Sequence, residues 1–162
     1  MDKLVILLGS NIGNKKVLLL RAKQLLEAQL GKCLQISSLY ESEAWGFKSE
    51  NTFLNQVLSF ETKLNPKKVL QIGLEIEKEL GRIKKNGSYI SRTIDVDILF
   101  YGDKIIDEID LEIPHPRLHL RRFTLVPLAE LMPNFVHPKL KKTINELLLS
   151  CQDKISSIKM KN

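Results

Sequence analysis

The run Arg92-Thr93-Ile94-Asp95-Val96-Asp97-Ile98-Leu99-Phe100 sets two carboxylates two residues apart in an otherwise apolar stretch. Along a strand, side chains alternate between faces. Asp95, Asp97 and Leu99 therefore share one face, and Ile94, Val96, Ile98 and Phe100 share the other, where an apolar core belongs. The carboxylates then stand roughly 7 Å apart at Cα, on the side away from that core. Left bare they repel, and a hard divalent cation between them removes the repulsion. Arg92 precedes the pair and Arg82 lies upstream of it. Cation-holding carboxylates beside arginines point to a polyphosphate gripped by metal and guanidinium together. An isolated Asp-x-Asp is equally the solvated or arginine-paired outer face of a strand, so its neighbours carry the decision.

Phe53 and Asn55 also share a strand face. A phenylalanine there can be core, but an amide beside it needs polar partners. A flat heteroaromatic ligand satisfies both, stacking on the ring and pairing with the amide. His115 stands between Pro114 and Pro116, which hold the segment extended, and Arg117, His119, Arg121 and Arg122 follow. Metal spacing is the weaker reading of this segment, because His115 and His119 lack a helix and a third ligand. Anion binding fits better, with a solvated basic loop as the alternative. Phe123 sits among these charges as a second candidate stacking wall. Gly9-Ser10-Asn11 falls where a strand gives way to a helix, as a turn and cap or as amide donors for a ligand.

The elements that position these residues follow from periodicity and punctuation. Lys3 to Leu8 reads as a buried first strand; as a signal peptide its apolar run is too short and lacks a cleavage site. Lys15 to Leu30 reads as a helix stopped by Gly31, Cys33 to Tyr40 as a second strand, and Glu41 to Thr52 as a loop long enough for function. Phe53 to Thr62 is a third strand. Asn65 caps a helix that starts at Pro66 and runs to about Leu80. Arg82 to Ser91 reads as a charged mobile loop, and the Asp95/Asp97 strand comes next. Gly102-Asp103 then reads as a hairpin turn into Lys104 to Ile106, before helical stretches at Arg121 to Leu131 and Leu140 to Ser150. The order strand, helix, strand, strand, helix, strand is the ferredoxin-like split βαβ arrangement, an α+β fold with an added C-terminal hairpin and helices. It places the core helices on one face of an antiparallel sheet and leaves the other face for a ligand.

Composition narrows the class. At 162 residues with 43% hydrophobic and 27% charged, the chain reads as one ordinary globular domain, 1–162. No apolar run approaches the roughly 18 residues of a membrane span. Cys33 and Cys151 form no metal-type or redox-type pair, which makes a reducing cytoplasm the default. The net charge of +6 favours an anionic partner without choosing its class, and part of it lies in a lysine-rich tail, Lys154 to Lys161, that reads as frayed.

With these pieces together, the chain resembles the 6-hydroxymethyl-7,8-dihydropterin pyrophosphokinase family of folate biosynthesis over almost its whole length. The resemblance rests on Gly9-Ser10-Asn11, Ser37-Ser38-Leu39-Tyr40, Phe53-Leu54-Asn55, Glu77 through Gly81-Arg82, Arg92 through Leu99, Pro114-His115 and Arg121-Arg122-Phe123. It implies transfer of the terminal pyrophosphoryl group of ATP to the hydroxymethyl oxygen of the dihydropterin, leaving AMP. On the family pattern, Asp95 and Asp97 hold two Mg²⁺ ions on the ATP phosphates. Arg82 and Arg92 neutralise charge on the transferred group, Arg82 arriving with a closing loop. Glu77, Lys84, Arg92, Ile98, His115 and Arg121 form the ATP side. Phe53 and Phe123 sandwich the pterin, Asn55 pairs with its edge, and Ser42, Glu43 and Trp45 complete that pocket. The implied enzyme is a cytoplasmic monomer whose partners are its two small substrates, with no nucleic acid and no membrane.

Three positions depart from the commoner pattern: Asp110 and Lys84 stand where arginines are frequent, and Tyr89 where Trp is. They bear on ATP affinity and loop closure rather than on the reaction. The chain also lacks the length expected for a fused folate-pathway partner domain. A single-stranded RNA reader of the RRM type shares the fold order and basic charge, but needs aromatic-rich strands where this sheet offers Asp95 and Asp97. A catalytically dead pterin-binding relative would have lost an Asp or Arg that this chain keeps.

Overall fold

A computed structural model describes residues 1–43, 52–81, 83–85, 88–91 and 94–161, with the side chains of 83–85 and 88–91 outside that description. The frame is an antiparallel sheet. β1 (Asp2–Ser10) lies between β4 (Phe53–Thr62) and β7 (Asp95–Tyr101). Beyond β4 come β3 (Tyr40–Ser42) and, outermost, β10 (Ser157–Lys159), while β2 (Gln35–Ile36) pairs with another part of β4. The expected second strand is thus two pieces on one neighbour, separated at Ser37–Leu39, where the Ser37 hydroxyl accepts the Val57 N–H.

Two helices, α1 (Lys15–Leu30) and α2 (Pro66–Glu79), cover one face. Their core takes Leu4, Ile6 and Leu8 of β1, Leu54, Leu58 and Phe60 of β4, and Ile94 and Ile98 next to or on β7. The start of α2 is as its sequence dictates: Asn65 accepts the Lys68 N–H and Pro66 occupies the first turn. Asn14 rather than the Gly9-Ser10-Asn11 turn caps α1, because β1 continues through Ser10.

The opposite face is not free along its whole length. α3 (Arg122–Leu131) and α4 (Ile144–Leu149) cover half of it, packing Leu125, Leu128, Ile144 and Leu147 on Val5, Leu7, Val57, Leu99 and Phe100. Strict alternation along the strand places Phe100 on the α1/α2 face with Ile98, and the structure does not. A bulge in β7 shifts the register, so that Val5 pairs with Phe100 while Ile6 pairs with Ile98. One additional residue in a strand flips the parity beyond it, which delivers Leu99 and Phe100 to the same core.

Three more differences are local. The stretch that reads as a loop in the sequence contains a two-stranded ribbon, β5 (Ile83–Lys85) with β6 (Ser88–Ser91). Gly102-Asp103 turns the chain but makes no hairpin into Lys104–Ile106; instead β8 (Ile106–Glu108) pairs with β9 (Leu111–Ile113). The last helix starts late because Thr143 and Glu146 form a capping box, each bonding the other's backbone N–H.

Candidate active site

The α3/α4 face is open at one end, and its residues follow from register. Asn55, Gly9 and Asp95 align across β4, β1 and β7; Val57, Leu7 and Asp97 form the next row. Going outward, apolar side chains give way to an amide, a glycine and two carboxylates. Here lies a cavity of about 140 Å³ lined by Leu7, Gly9, Ser42, Glu43, Phe53, Asn55, Asp95, Asp97, Arg121 and Phe123. Gly9 is there for space. A Cβ on it would meet Asn55 Oδ1 at 3.2 Å, inside ordinary contact. Asn55 is 1% exposed and its Nδ2 donates to the Ser42 hydroxyl at 2.8 Å. The amide is therefore held by Ser42 while its carbonyl oxygen sits beside the bare Gly9 backbone.

Arg121 and Phe123 reach this cavity from the start of α3. The Arg121 guanidinium lies 5.5 Å from the centroid of the Phe123 ring, a cation–π distance. Burial lowers the Arg121 pKa; the Asp97 charge acts the other way, Arg117 lowers it further and Asp95 raises it. An arginine remains charged through such shifts, so the cavity joins one guanidinium to two carboxylates. Neighbouring Arg122 does other work: its Nε donates to the Asp153 carbonyl and its Nη2 to that of Cys151.

A second cleft, about 270 Å³, meets the first at Asp97 and is lined also by Leu70, Val96, Ile98, Glu108 to Glu112, His115 and Pro116. Asp110, one of the departures noted in the sequence, falls in this lining. His115 follows the cis Ile113–Pro114 peptide, and its backbone N–H donates to the Leu99 carbonyl. Its Nδ1 accepts the Arg117 N–H at 3.2 Å, which leaves Nε2 to carry the ring proton. Burial, then the charges of Arg121 and Arg117, push its pKa down to about 4. Near neutral pH His115 is thus an uncharged N–H donor.

The strand bearing both carboxylates is fixed from beneath. Glu77, 5% exposed on α2, accepts the N–H of Val96, the residue between the two aspartates, at 2.8 Å. Gly73 on the same helix lets α2 approach, since a Cβ there would stand 3.1 Å from Val96 Cγ1.

Among the described residues no group of three or more His, Cys, Asp or Glu side chains forms a cation cage. The available donor set is the hard oxygens of Asp95 and Asp97. Such a pair suits Mg²⁺, which keeps waters and takes one or two carboxylates plus substrate phosphates; soft-metal sites need thiolate or imidazole sets.

The first cavity therefore unites Asp95, Asp97, Arg121, Ser42, Glu43, Phe53, Asn55 and Phe123, and the second adds Ile98 and His115. Glu77 lies below the strand. Arg82, Arg92 and Trp45 lie outside the described residues, as does the side chain of Lys84. Leu7 carries no site signal in the sequence, and Gly9 enters it only as a turn or as a possible amide donor, not as the source of space that it is here. A glycine closing an apolar strand opposite an Asn reads as a turn until the strand register is known.

The sheet is ferredoxin-like, and two clefts meet at one carboxylate, one aromatic-walled and one edged by a neutral histidine. The chain belongs to the 7,8-dihydro-6-hydroxymethylpterin-pyrophosphokinase (HPPK) family, whose model matches residues 5–133. It is 42% identical over 139 residues to the 2-amino-4-hydroxy-6-hydroxymethyldihydropteridine pyrophosphokinase of Aquifex aeolicus, covering 86% of each chain. It is 39% identical over 127 residues to the Bacillus subtilis protein of that name, covering 78% of this chain and 75% of the other. Plasmodium falciparum HPPK-DHPS, wild type, superposes with a TM-score of 0.70 at 20% identity over 91% of this chain. An HPPK-DHPS solved with substrates superposes with a TM-score of 0.72 at 15% identity over 92% of it. At those identities the likeness is one of fold, and this chain spans 44% and 43% of the two solved chains.

Proposed function

We propose that the protein transfers the pyrophosphoryl group of ATP to the hydroxymethyl oxygen of 6-hydroxymethyl-7,8-dihydropterin. The oxygen attacks the β-phosphorus, the α–β bridge bond breaks, AMP leaves and the hydroxyl proton is released. The observation that carries this reading is the place of Asp97, which lines both clefts at once. A group between two substrates can act on the phosphate passing from one to the other.

Phe53 and Phe123 are assigned to the pterin faces and Asn55 to its polar edge, with Ser42, Glu43 and Trp45 around it. Arg121 and the Nε2–H of His115 are assigned to ATP phosphates, Ile98 to the nucleotide cleft, and Glu77 and Lys84 to its surroundings. Arg82 and Arg92 are assigned to the charge on the transferred group. Asp95 and Asp97 are assigned two Mg²⁺ ions, which when bound neutralise the polyphosphate and align it. Phosphoryl transfer asks mainly for alignment and charge stabilisation, and this residue set provides both without a nucleophile of its own. The enzyme is read as a cytoplasmic monomer; no described helix is long and apolar enough to cross a membrane.

Incubation with ATP, Mg²⁺ and the hydroxymethyl-dihydropterin should yield AMP and the pterin diphosphate, with neither formed when the pterin or Mg²⁺ is omitted. Release of ADP would mean single-phosphate transfer and sink the reading. Arg82→Ala should lower the single-turnover rate far more than ATP affinity; the reverse would make Arg82 a ground-state clamp.

A further inference from the structure

The start of α3 carries Arg121 and Phe123, and its own sequence does not cap it. Arg121 is the N-cap residue, its side chain makes no capping bond, and the first turn holds no acid. Free amides and the positive end of the helix dipole call for an anionic acceptor there. One arrives from 31 residues downstream: Asp153 Oδ2 accepts the Arg122 N–H at 3.0 Å. The other oxygen of that carboxylate accepts the Ile155 N–H at 3.0 Å. Arg122 closes the clasp from the opposite side, giving its Nε to the Asp153 carbonyl at 3.0 Å and its Nη2 to the Cys151 carbonyl at 3.4 Å.

The chain leaving this clasp does not fray. It pairs as β10 with β3, Ser157 opposite Ser42, and the Met160 N–H donates to the Leu39 carbonyl at 2.9 Å. Ser42 is the residue whose hydroxyl holds the Asn55 amide. One strap thus touches the cavity at both sides, at the start of α3 and at Ser42. All of it lies beyond residue 133, where the match to the family model ends.

We propose that Asp153 is a positioning residue for the pterin pocket: it caps α3 from outside and so sets where Arg121 and Phe123 stand. The inference rests on the assignment of Phe123 to a pterin face, and the experiment separates the two. Pterin affinity is measured by equilibrium titration, with Mg²⁺ and a non-hydrolysable ATP analogue present, well below the melting temperature. The variants are Asp153→Ala, Asp153→Asn and Phe123→Ala. Asp153→Ala should weaken pterin binding about five- to tenfold, the effect expected of a lost cap. In steady state it should raise the pterin KM more than it lowers kcat. Asp153→Asn keeps an acceptor and should recover most of the affinity.

A lower melting temperature in Asp153→Ala with pterin affinity and KM unchanged would make the contact purely structural and overturn the proposal. If Phe123→Ala also binds pterin normally, the pocket assignment has failed; if Phe123→Ala is weakened while Asp153→Ala is not, only the positioning role has failed. Should Asp153→Ala not fold, Arg122→Gln decides, because it opens the clasp from the other side. Weakened pterin binding in it supports the proposal, and wild-type binding overturns it.

Discussion

Under α1 and α2 the central strands present Leu4, Ile6 and Leu8, Leu54, Leu58 and Phe60, and Ile98, all buried. On the other face the same strands begin alike, with Leu7, Val57 and Leu99 under α3 and α4, and then change together. Leu7 is followed by Gly9, Val57 by Asn55 and Phe53, and Leu99 by Asp97 and Asp95. Three strands distant in sequence give up aliphatic side chains at the same end of one face. Core packing alone gives no reason for this, since placing polar groups at a sheet face costs free energy that apolar side chains would not. The face packed under α1 and α2 is scaffold, and the half-covered face is scaffold plus the proposed site.

The contrast breaks most sharply at Asp97. Asp97→Ala is expected to cut turnover by at least about 10²–10³-fold, as loss of one preorganised electrostatic group does, with little change in melting temperature. Activity near wild type at ordinary Mg²⁺ would return Asp97 to the status of an outer-face carboxylate. A variant that lost activity only by unfolding would show that the open end is also scaffold.

Phe53 and Phe123 stand at the boundary between filled and open. Replacing either by Ala should weaken pterin binding by about 1–3 kcal/mol, on the analogy of base–aromatic stacking, and leave nucleotide affinity nearly intact. The two should differ in stability: Phe123 packs against the α3/α4 core, so its loss should also lower the melting temperature. Calorimetry with pterin and thermal unfolding on both variants checks the pair. Equal stability losses would move the boundary.

Gly9 tests whether the open end is open by design. In Gly9→Ala the new Cβ comes to 3.2 Å from Asn55 Oδ1, and the amide must yield. A cost of about 1 kcal/mol, at the low end for overpacking, would appear as about fivefold weaker pterin binding with ATP-analogue binding unchanged. Unaltered pterin affinity would show that Asn55 has slack.

Much of this is legible in the sequence itself. The Asp95/Asp97 strand, the Asn65-Pro66 helix start and the shared face of Phe53 and Asn55 are local patterns, and local patterns survive folding. The roles proposed for the site residues rest on resemblance, since spacing offers only faces and distances. What stayed hidden was non-local. The β7 bulge that turns Phe100 to the second core depends on pairing with β1. The tail that becomes β10 has the composition of a frayed end, and only its pairing with β3 orders it. The Asp153 cap is visible only once residues 122 and 153 are adjacent. β8 and β9 are three residues each and rich in acids, too short and polar for a strand pattern.

The smallest expected effect belongs to the filled end of the second face, and it touches stability without touching chemistry. His137 is 3% exposed, its ring meets Phe100 edge-on at 5.6 Å, and its Nδ1 accepts the N–H groups of Lys139 and Leu140. Burial, with smaller contributions from His119 and Lys139, pushes its pKa from the ordinary 6.5 down to about 4. The folded state therefore resists a proton that the unfolded chain accepts. Stability from this group is fully present above about pH 6.5 and is lost as pH falls toward about 4, because the unfolded state binds more protons across that window. His115 acts in the same direction, and lowered carboxylates such as Glu130 join only near and below their ordinary 4.5. His137→Asn keeps an acceptor for the two amides and removes one titration. Between about pH 7.5 and about pH 5 it should lose less unfolding free energy than the wild type, by on the order of 1 kcal/mol, while kcat at neutral pH stays the same. Urea unfolding at the two pH values measures the difference. Parallel losses would mean that His137 takes its proton inside the folded core, and that this end of the face is looser than its packing implies.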